Sequence, residues 1–204
     1  MTALGERENY WRRGDLRLRA AGPADAAMFY EHFRTSPAET ERAFEKIGFP
    51  VGLDAAERWL RGYGAGEGGA AGASDAGGAD DRCVFVVERA DDGAFLGYVD
   101  VWETDRRSGV FKTGIKMLEG HAGKGYATRA FTLVLGFYFD ELRYQKCGVY
   151  IYDFNAASHR FHKKLGFVEE GRLRREYYSQ GRYFDSVCYG LFAEDFRARR
   201  DGLA

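Results

Sequence analysis

Only three cysteines occur in the 204 residues, far apart at 83, 147 and 188. An odd number without close pairs excludes a disulfide framework and a cysteine-based metal site. Each lies in a strand-like run and reads as a buried, reduced thiol. Nowhere do 18 apolar residues run together, and MTALGERENYWRR carries no apolar h-region. Neither a spanning helix nor a secretory signal is therefore expected. Charge of one sign is also lacking: 30 Lys and Arg stand against 31 Asp and Glu, for a net charge of −1. That removes any general attraction to nucleic acid or anionic membrane. The basic clusters RLRR (172–175) and RARR (197–200) have acids nearby and read as solvated faces. Internal repeats are absent. So are the Gly-x-x-x-x-Gly-Lys-Ser/Thr and Gly-x-Gly-x-x-Gly spacings of the common nucleotide loops. What remains is a cytoplasmic globular protein with no metal, membrane or nucleic-acid partner expected.

What is present is apolar (45%) and rich in rings (16% aromatic), enough to fill a substantial core. The pattern predicts one domain over 1–204 with its core at 15–194. The run GYGAGEGGAAGASDAGGADD (62–81) cannot bury a core and reads as a flexible insertion, with a substrate lid as the lesser alternative. DLRLRAA (15–21) alternates like a strand, and Pro23 then opens a helix. Further helices are expected over 38–47 and 53–63. Three strands follow at 83–90, 94–103 and 109–118, joined by short turns. A long helix is expected to about Leu142, then a strand over 146–154. NAASHRFHKKLGF reads as a short helix capped by Asn155 and stopped by Gly166. Two last strands are separated by the SQGR turn at 179–182.

The most informative stretch is GHAGKGYATRAF (120–131). Gly123 and Gly125 remove Cβ where a chain turns tightly or approaches a ligand. Ala127, Phe131, Val134, Leu135, Tyr138 and Leu142 then recur at helical spacing. A bare backbone ahead of a helix presents N–H groups suited to a phosphate. Ordinary turn chemistry explains the same glycines.

Taken with NAASHRFHKKLGF and EEGRLRREYYSQGRYFDSVCYGL, the stretch resembles the GNAT superfamily of acetyl-CoA-dependent N-acetyltransferases. Within it, the nearest resemblance is to the branch of ribosomal-protein N-terminal and spermidine acetyltransferases. The likeness spans about 15–194 and is strongest over 109–190. It implies an α/β (α+β) fold whose mixed, mostly antiparallel sheet of about six to seven strands is flanked by helices. It implies acetyl-CoA as co-substrate and no metal. Backbone N–H groups of Gly123, Lys124, Gly125, Tyr126 and Ala127 would cradle the CoA pyrophosphate. Ala122 stands where the family has Gln or Arg, and Lys124 or His121 supplies charge instead.

On the same resemblance, GIKML (114–118) is the strand that pairs with the pantetheine arm, and an N–H at Met117 or Leu118 would stabilise the developing oxyanion. Asn155 matches the residue that contacts the cofactor near the pantetheine. His162 stands where much of the family has a Tyr that protonates the departing thiolate. A His of pKa ~6.5 can protonate a thiolate whose conjugate thiol has a pKa of ~8.5. The helical face of Ser158, His162 and Leu165 puts it with apolar neighbours. An alkyl ammonium needs a base. Glu103 and Asp185 are the leading candidates and Glu119 and Asp153 the lesser ones. Lys112 replaces a Glu that several relatives carry on the central strand. Tyr177, Tyr178, Tyr183 and Phe184 either wall an acceptor pocket or are core and edge aromatics. The implied reaction is direct acetyl transfer, in a ternary complex, to the primary amine of a small molecule such as a polyamine, amino acid or amino sugar. A protein N-terminus is the alternative acceptor, and a CoA-binding regulatory module the alternative of another class. A monomer or homodimer is expected.

Overall fold

A computed structural model describes residues 9–35, 52–63, 81–118, 120–121, 123–179 and 181–203. The expected helix at 38–47 and most of the 62–81 insertion lie outside them, as do Glu119 and Ala122.

Among the described residues eight strands form one sheet: β1 (Arg12–Arg13), β2 (Leu16–Ala20), β3 (Cys83–Arg89), β4 (Phe95–Asp105), β5 (Val110–Met117), β6 (Lys146–Tyr152), β7 (Val168–Ser179) and β8 (Arg182–Phe192). Their order is β1-β2-β3-β4-β5-β6-β8-β7. Every pairing is antiparallel except β5 with β6. The count exceeds the six to seven expected. β1 is a two-residue strand pairing Arg12 with Arg17, too short to leave an alternating pattern in the sequence.

Helices cover both faces. α1 (Ala26–Thr35) follows a 3-10 turn at Pro23–Asp25, and α2 is Leu53–Arg61. They pack Ala26, Phe29, Ala56 and Leu60 onto Val84, Val86 and Tyr98 of the sheet. On the other face α3 (Tyr126–Gly136) buries Ala130, Phe131, Val134 and Leu135 against Phe85, Val87, Val99, Val101 and Phe111. This explains the near-continuous apolar run of β3, since successive side chains serve opposite cores. α3 is shorter than the long helix expected. Its ladder slips into a π turn at Phe137–Glu141, which keeps Tyr138 and Phe139 buried.

α4 (Ala156–Leu165) follows β6 with Asn155 as its cap, the Asn155 Oδ1 accepting from the Ser158 N–H at 3.0 Å. Gly166, at φ 99°, ends it in the left-handed region that favours glycine. α5 (Ala193–Arg199) was not anticipated, because its sequence is dominated by charge. It buries Ala193 and Phe196 while Arg197 pairs with Asp140 at 2.7 Å. The three cysteines are free and all lie in strands. Only Cys147 is fully buried; Cys83 and Cys188 are half-buried.

Candidate active site

Gly120, Gly123 and Gly125 all have positive φ (82°, 79° and 76°). A Cβ built on Gly123 or Gly125 would meet nothing within 4 Å, so their bareness serves backbone conformation and an open surface instead of packing. Gly125 is the N-cap of α3 and no side chain caps that end. The first-turn N–H groups of Tyr126, Ala127 and Thr128 therefore have no partner within the helix. Lys124 is exposed beside them. The Tyr126 ring turns inward, its hydroxyl donating to Asp15 at 2.9 Å, and Arg129 pairs with the same carboxylate at 2.5 Å. Tyr126 thus offers only its N–H to the loop. Backbone donors, helix dipole and an exposed ammonium suit a pyrophosphate.

From this loop the sheet leads to a gap. β5 and β6 are joined by three residue pairs, ending at Lys112 opposite Gly148, although both strands run on. Beyond that point no strand among the described residues pairs with the β5 edge facing β6. The Leu118 N–H is spent on the Leu96 carbonyl at 2.9 Å, which removes it as an oxyanion donor. Strand alternation then turns the Met117 N–H toward the gap. Asn155 stands at the far side, where β6 passes into α4.

On the face of α1 and α2, a recess of about 530 Å³ is lined by Trp102, Lys112, Tyr150, Tyr152, Glu176, Tyr177, Tyr178 and Ser186. Two irregularities build it. At Trp102 the register of β4 against β5 shifts, so Val101 faces Thr113 while Glu103 faces Lys112. A bulge of this kind re-aims side chains, here Trp102 into the recess. On β7 the register against β8 shifts between Leu173 and Tyr177, and Arg175 is forced to φ 53°. Tyr177 is thereby buried and stacked on Tyr152 at 4.6 Å, while Tyr178 stays exposed. Phe184 packs on Phe154, and exposed Tyr183 pairs with Tyr178.

The two expected bases are both engaged. Glu103 is exposed and bonded to the Lys112 ammonium at 2.9 Å. That ammonium lies 4.8 Å from the Tyr150 ring centre and 5.4 Å from that of Trp102. Asp185 accepts from the Arg175 N–H at 2.9 Å and from Arg172 at 3.3 Å. The Arg175 N–H first, and Arg172 with it, hold its pKa below the usual carboxylate value. Asp185 therefore stabilises the β7 bulge, and its low basicity does not suit proton removal.

His162 is buried among Phe131, Phe161 and Phe167, with ring centres 5.0 to 5.6 Å away. Its Nδ1 lies 2.9 Å from the Ser158 carbonyl, so that nitrogen carries the proton. Nε2 is buried without a hydrogen-bond partner. Burial, more than any other cause, pushes its pKa down to about 4. At neutral pH the ring is uncharged, which removes the charged acid the resemblance had implied.

One acid escaped notice because it sits mid-strand in FLGYVDVWE. Asp100 lies on β4 between core residues Val99 and Val101 and points to the opposite face. Its carboxylate takes hydrogen bonds from Tyr63 and from the Gly114 N–H, while burial, the largest effect, raises its pKa to about 6. A Cβ on Gly114 would come within 2.8 Å of its Oδ1, so the carboxylate lies directly over β5 there. An Asp facing a glycine on the next strand was the available signal.

The model of the acetyltransferase (GNAT) domain matches residues 15–168. An uncharacterized N-acetyltransferase of a Bacillus subtilis prophage is 30% identical over 187 residues, covering 92% of this chain and 95% of that protein. The spermidine N(1)-acetyltransferase of Escherichia coli K12 is 30% identical over 114 residues, 56% of this chain and 60% of that one. The solved spermidine N-acetyltransferase of Vibrio cholerae in complex with CoA and spermine superposes with a TM-score of 0.74 at 21% identity, covering 91% of this chain and 99% of that one. The match of the family model over most of the chain and the prophage relative show that the chain belongs to the GNAT family of acetyl-CoA-dependent N-acetyltransferases.

Proposed function

We propose that the acceptor is the primary amine of a small molecule, held in the aromatic recess and acetylated by direct attack. The observation that carries this reading is the position of the recess beside the open length of β5. Its volume of about 530 Å³ falls within the range of small-molecule sites. Backbone N–H groups from Gly123 to Ala127 would hold the CoA pyrophosphate, with Lys124 adding charge. Asn155 would contact the pantetheine, and the Met117 N–H would receive the carbonyl oxygen as it gains charge. Acetyl-CoA supplies the activated acyl group.

Lys112 refines the acceptor class. Its ammonium sits among the rings that would otherwise attract a second cation. An amine with a neutral or anionic body, such as an amino acid or amino sugar, fits this better than a polyamine. Action in the cytoplasm, as a monomer or homodimer, belongs to the same proposal. The test is thiol release from acetyl-CoA with glycine-family amino acids, glucosamine, spermidine and a short peptide offered separately. Turnover with the amino acid or amino sugar is expected. Turnover with the peptide alone would replace this reading with N-terminal acetylation. Binding of acetyl-CoA without turnover on any amine would favour a regulatory module.

A further inference from the structure

We propose that Asp100 is the general base that removes the proton from the acceptor ammonium, directly or through one water. The proposal rests on the acetyl-transfer reaction and not on which amine is used. Its geometric ground is the place of the carboxylate. It lies over Gly114, past the last β5–β6 pair at Lys112 and Gly148. Gly114 is two residues from Lys112, which lines the recess, a step of about 7 Å along the strand. Met117, whose N–H turns into the same gap, is three residues further. The entry point at Lys112, the base over Gly114 and the oxyanion donor at Met117 thus follow one another along β5.

Glu103 is neutralised by Lys112 and Asp185 by the Arg172–Arg175 segment, while Glu176 lines the recess from β7, away from the open length of β5. Asp100 instead carries hydrogen bonds and, among the described residues, no ion pair that would lower its basicity further. Tyr63 reaches it from the end of α2, and Gly114 from β5. Other ionisable groups on this side include Lys112, Tyr98, which neighbours Asp100, Arg82, which acts on Tyr63, and Lys116, which acts on His32. Burial keeps the carboxylate's pKa raised to about 6, so it is ionised at pH 7 and basic enough to accept a proton.

The step balances as follows. Asp100 takes one proton from the ammonium and leaves a lone pair on nitrogen. That pair forms the C–N bond while the carbonyl π electrons move to oxygen. On collapse the C=O bond re-forms, the C–S bond breaks, and the sulfur leaves with its electron pair. The second surplus proton on nitrogen passes through solvent to the thiolate, and Asp100 returns its own to solvent.

The experiment has three arms on the full chain. Asp100→Asn is expected to lower kcat/KM at pH 8 by at least ~10²-fold, with the acetyl-CoA thermal shift unchanged. It should also abolish the rising limb of the wild-type pH profile near pH 6. Tyr63→Phe removes a donor to the ionised form and should move that limb to higher pH. Carbon-13 carboxyl NMR of the ligand-free protein should show one aspartate titrating near pH 6 that vanishes in Asp100→Asn. Turnover of Asp100→Asn within ~3-fold of wild type, with the limb intact, would overturn the proposal. If that variant does not fold, an unmoved limb in Tyr63→Phe would do so. If no amine in the panel is acetylated, the small-amine reading fails on its own. The NMR titration then decides Asp100: an aspartate near pH 6 that Tyr63→Phe moves sustains the assignment, and its absence removes it.

Discussion

Replacing His162 by Phe tests how a buried imidazole behaves on acidification. In the folded protein its pKa is about 4, against ~6.5 in an unfolded chain. Because the folded value is depressed, the unfolded state binds more protons between those two values, and stability falls as pH drops below ~6.5. At pH 8 neither state is charged at this position. At pH 5 the unfolded chain is almost fully protonated while the folded ring is about one-tenth protonated. The linkage relation then gives a loss of ~2 kcal/mol between pH 8 and pH 5. For a chain of 204 residues this is a fall in Tm of roughly 4–8 °C.

His32, also driven to about 4 by burial and then by Lys116, adds a loss of the same sign. Asp100, with its raised pKa, opposes them. The measurement is therefore a difference: Tm at pH 8 minus Tm at pH 5 for wild type, less the same quantity for His162→Phe. Calorimetry should return roughly 4–8 °C. The ring of Phe fits among Phe131, Phe161 and Phe167, so the variant should fold, and its kcat should stay within ~3-fold of wild type at every pH. Equal acid sensitivity in the two proteins would refute the burial argument. A ~10²-fold fall in kcat with normal stability would restore the histidine to proton transfer.

Gly125→Val places a β-branched residue at φ 76° and should cost ~1–2 kcal/mol. It should also abolish the Tm rise with acetyl-CoA, ~2.7 kcal/mol at a hundredfold excess over Kd in the parent; a retained shift in thermal melts would sink the phosphate-cradle reading. Asp185→Ala should free the β7 bulge and raise KM for the amine severalfold through Tyr177 and Glu176, with the pH profile of kcat/KM unmoved in steady-state assays; a displaced pH limb would make Asp185 the base. Asp100→Asn should raise stability at pH 8 by at most ~3 kcal/mol, because a raised carboxylate pKa means stability is lost as pH rises through about 6. Urea titrations at pH 5 and pH 8 check this, and a variant less stable than wild type at pH 8 would contradict it.

Much of the fold was legible because periodicity reports burial. The alternation in DLRLRAA, the apolar run CVFVVER and the Asn155 cap each correspond to a described element. The glycine loop was legible for a similar reason: positive φ and an absent Cβ leave few residue choices. What failed to show is relational. Whether Glu103 is a base depends on Lys112, nine residues away on the next strand. Asp185 depends on a bulge in β7 that no local pattern marks. His162 was correctly assigned to an apolar helical face, yet the three phenylalanines that keep it neutral come from α3, α4 and the turn after it. The place of Asp100 depends on Gly114, which lies beneath its carboxylate on the next strand. The charged composition of α5 concealed the two residues, Ala193 and Phe196, that dock it.

The three-pair union of β5 with β6 also has a mechanical meaning. Strands β1 to β5 form one leaf and β6 to β8 another, and among the described residues the hydrogen bonds that stitch β5 to β6 cluster at one end, from Ser108 to Lys112. A cofactor arm bonded to the free edge of β5 and held at Asn155 on the other leaf would act as a cross-brace. Shear and breathing between the leaves should then be damped when it is in place. Product departure would restore that compliance, so the rate at which the leaves part can govern how quickly the enzyme is ready to act again.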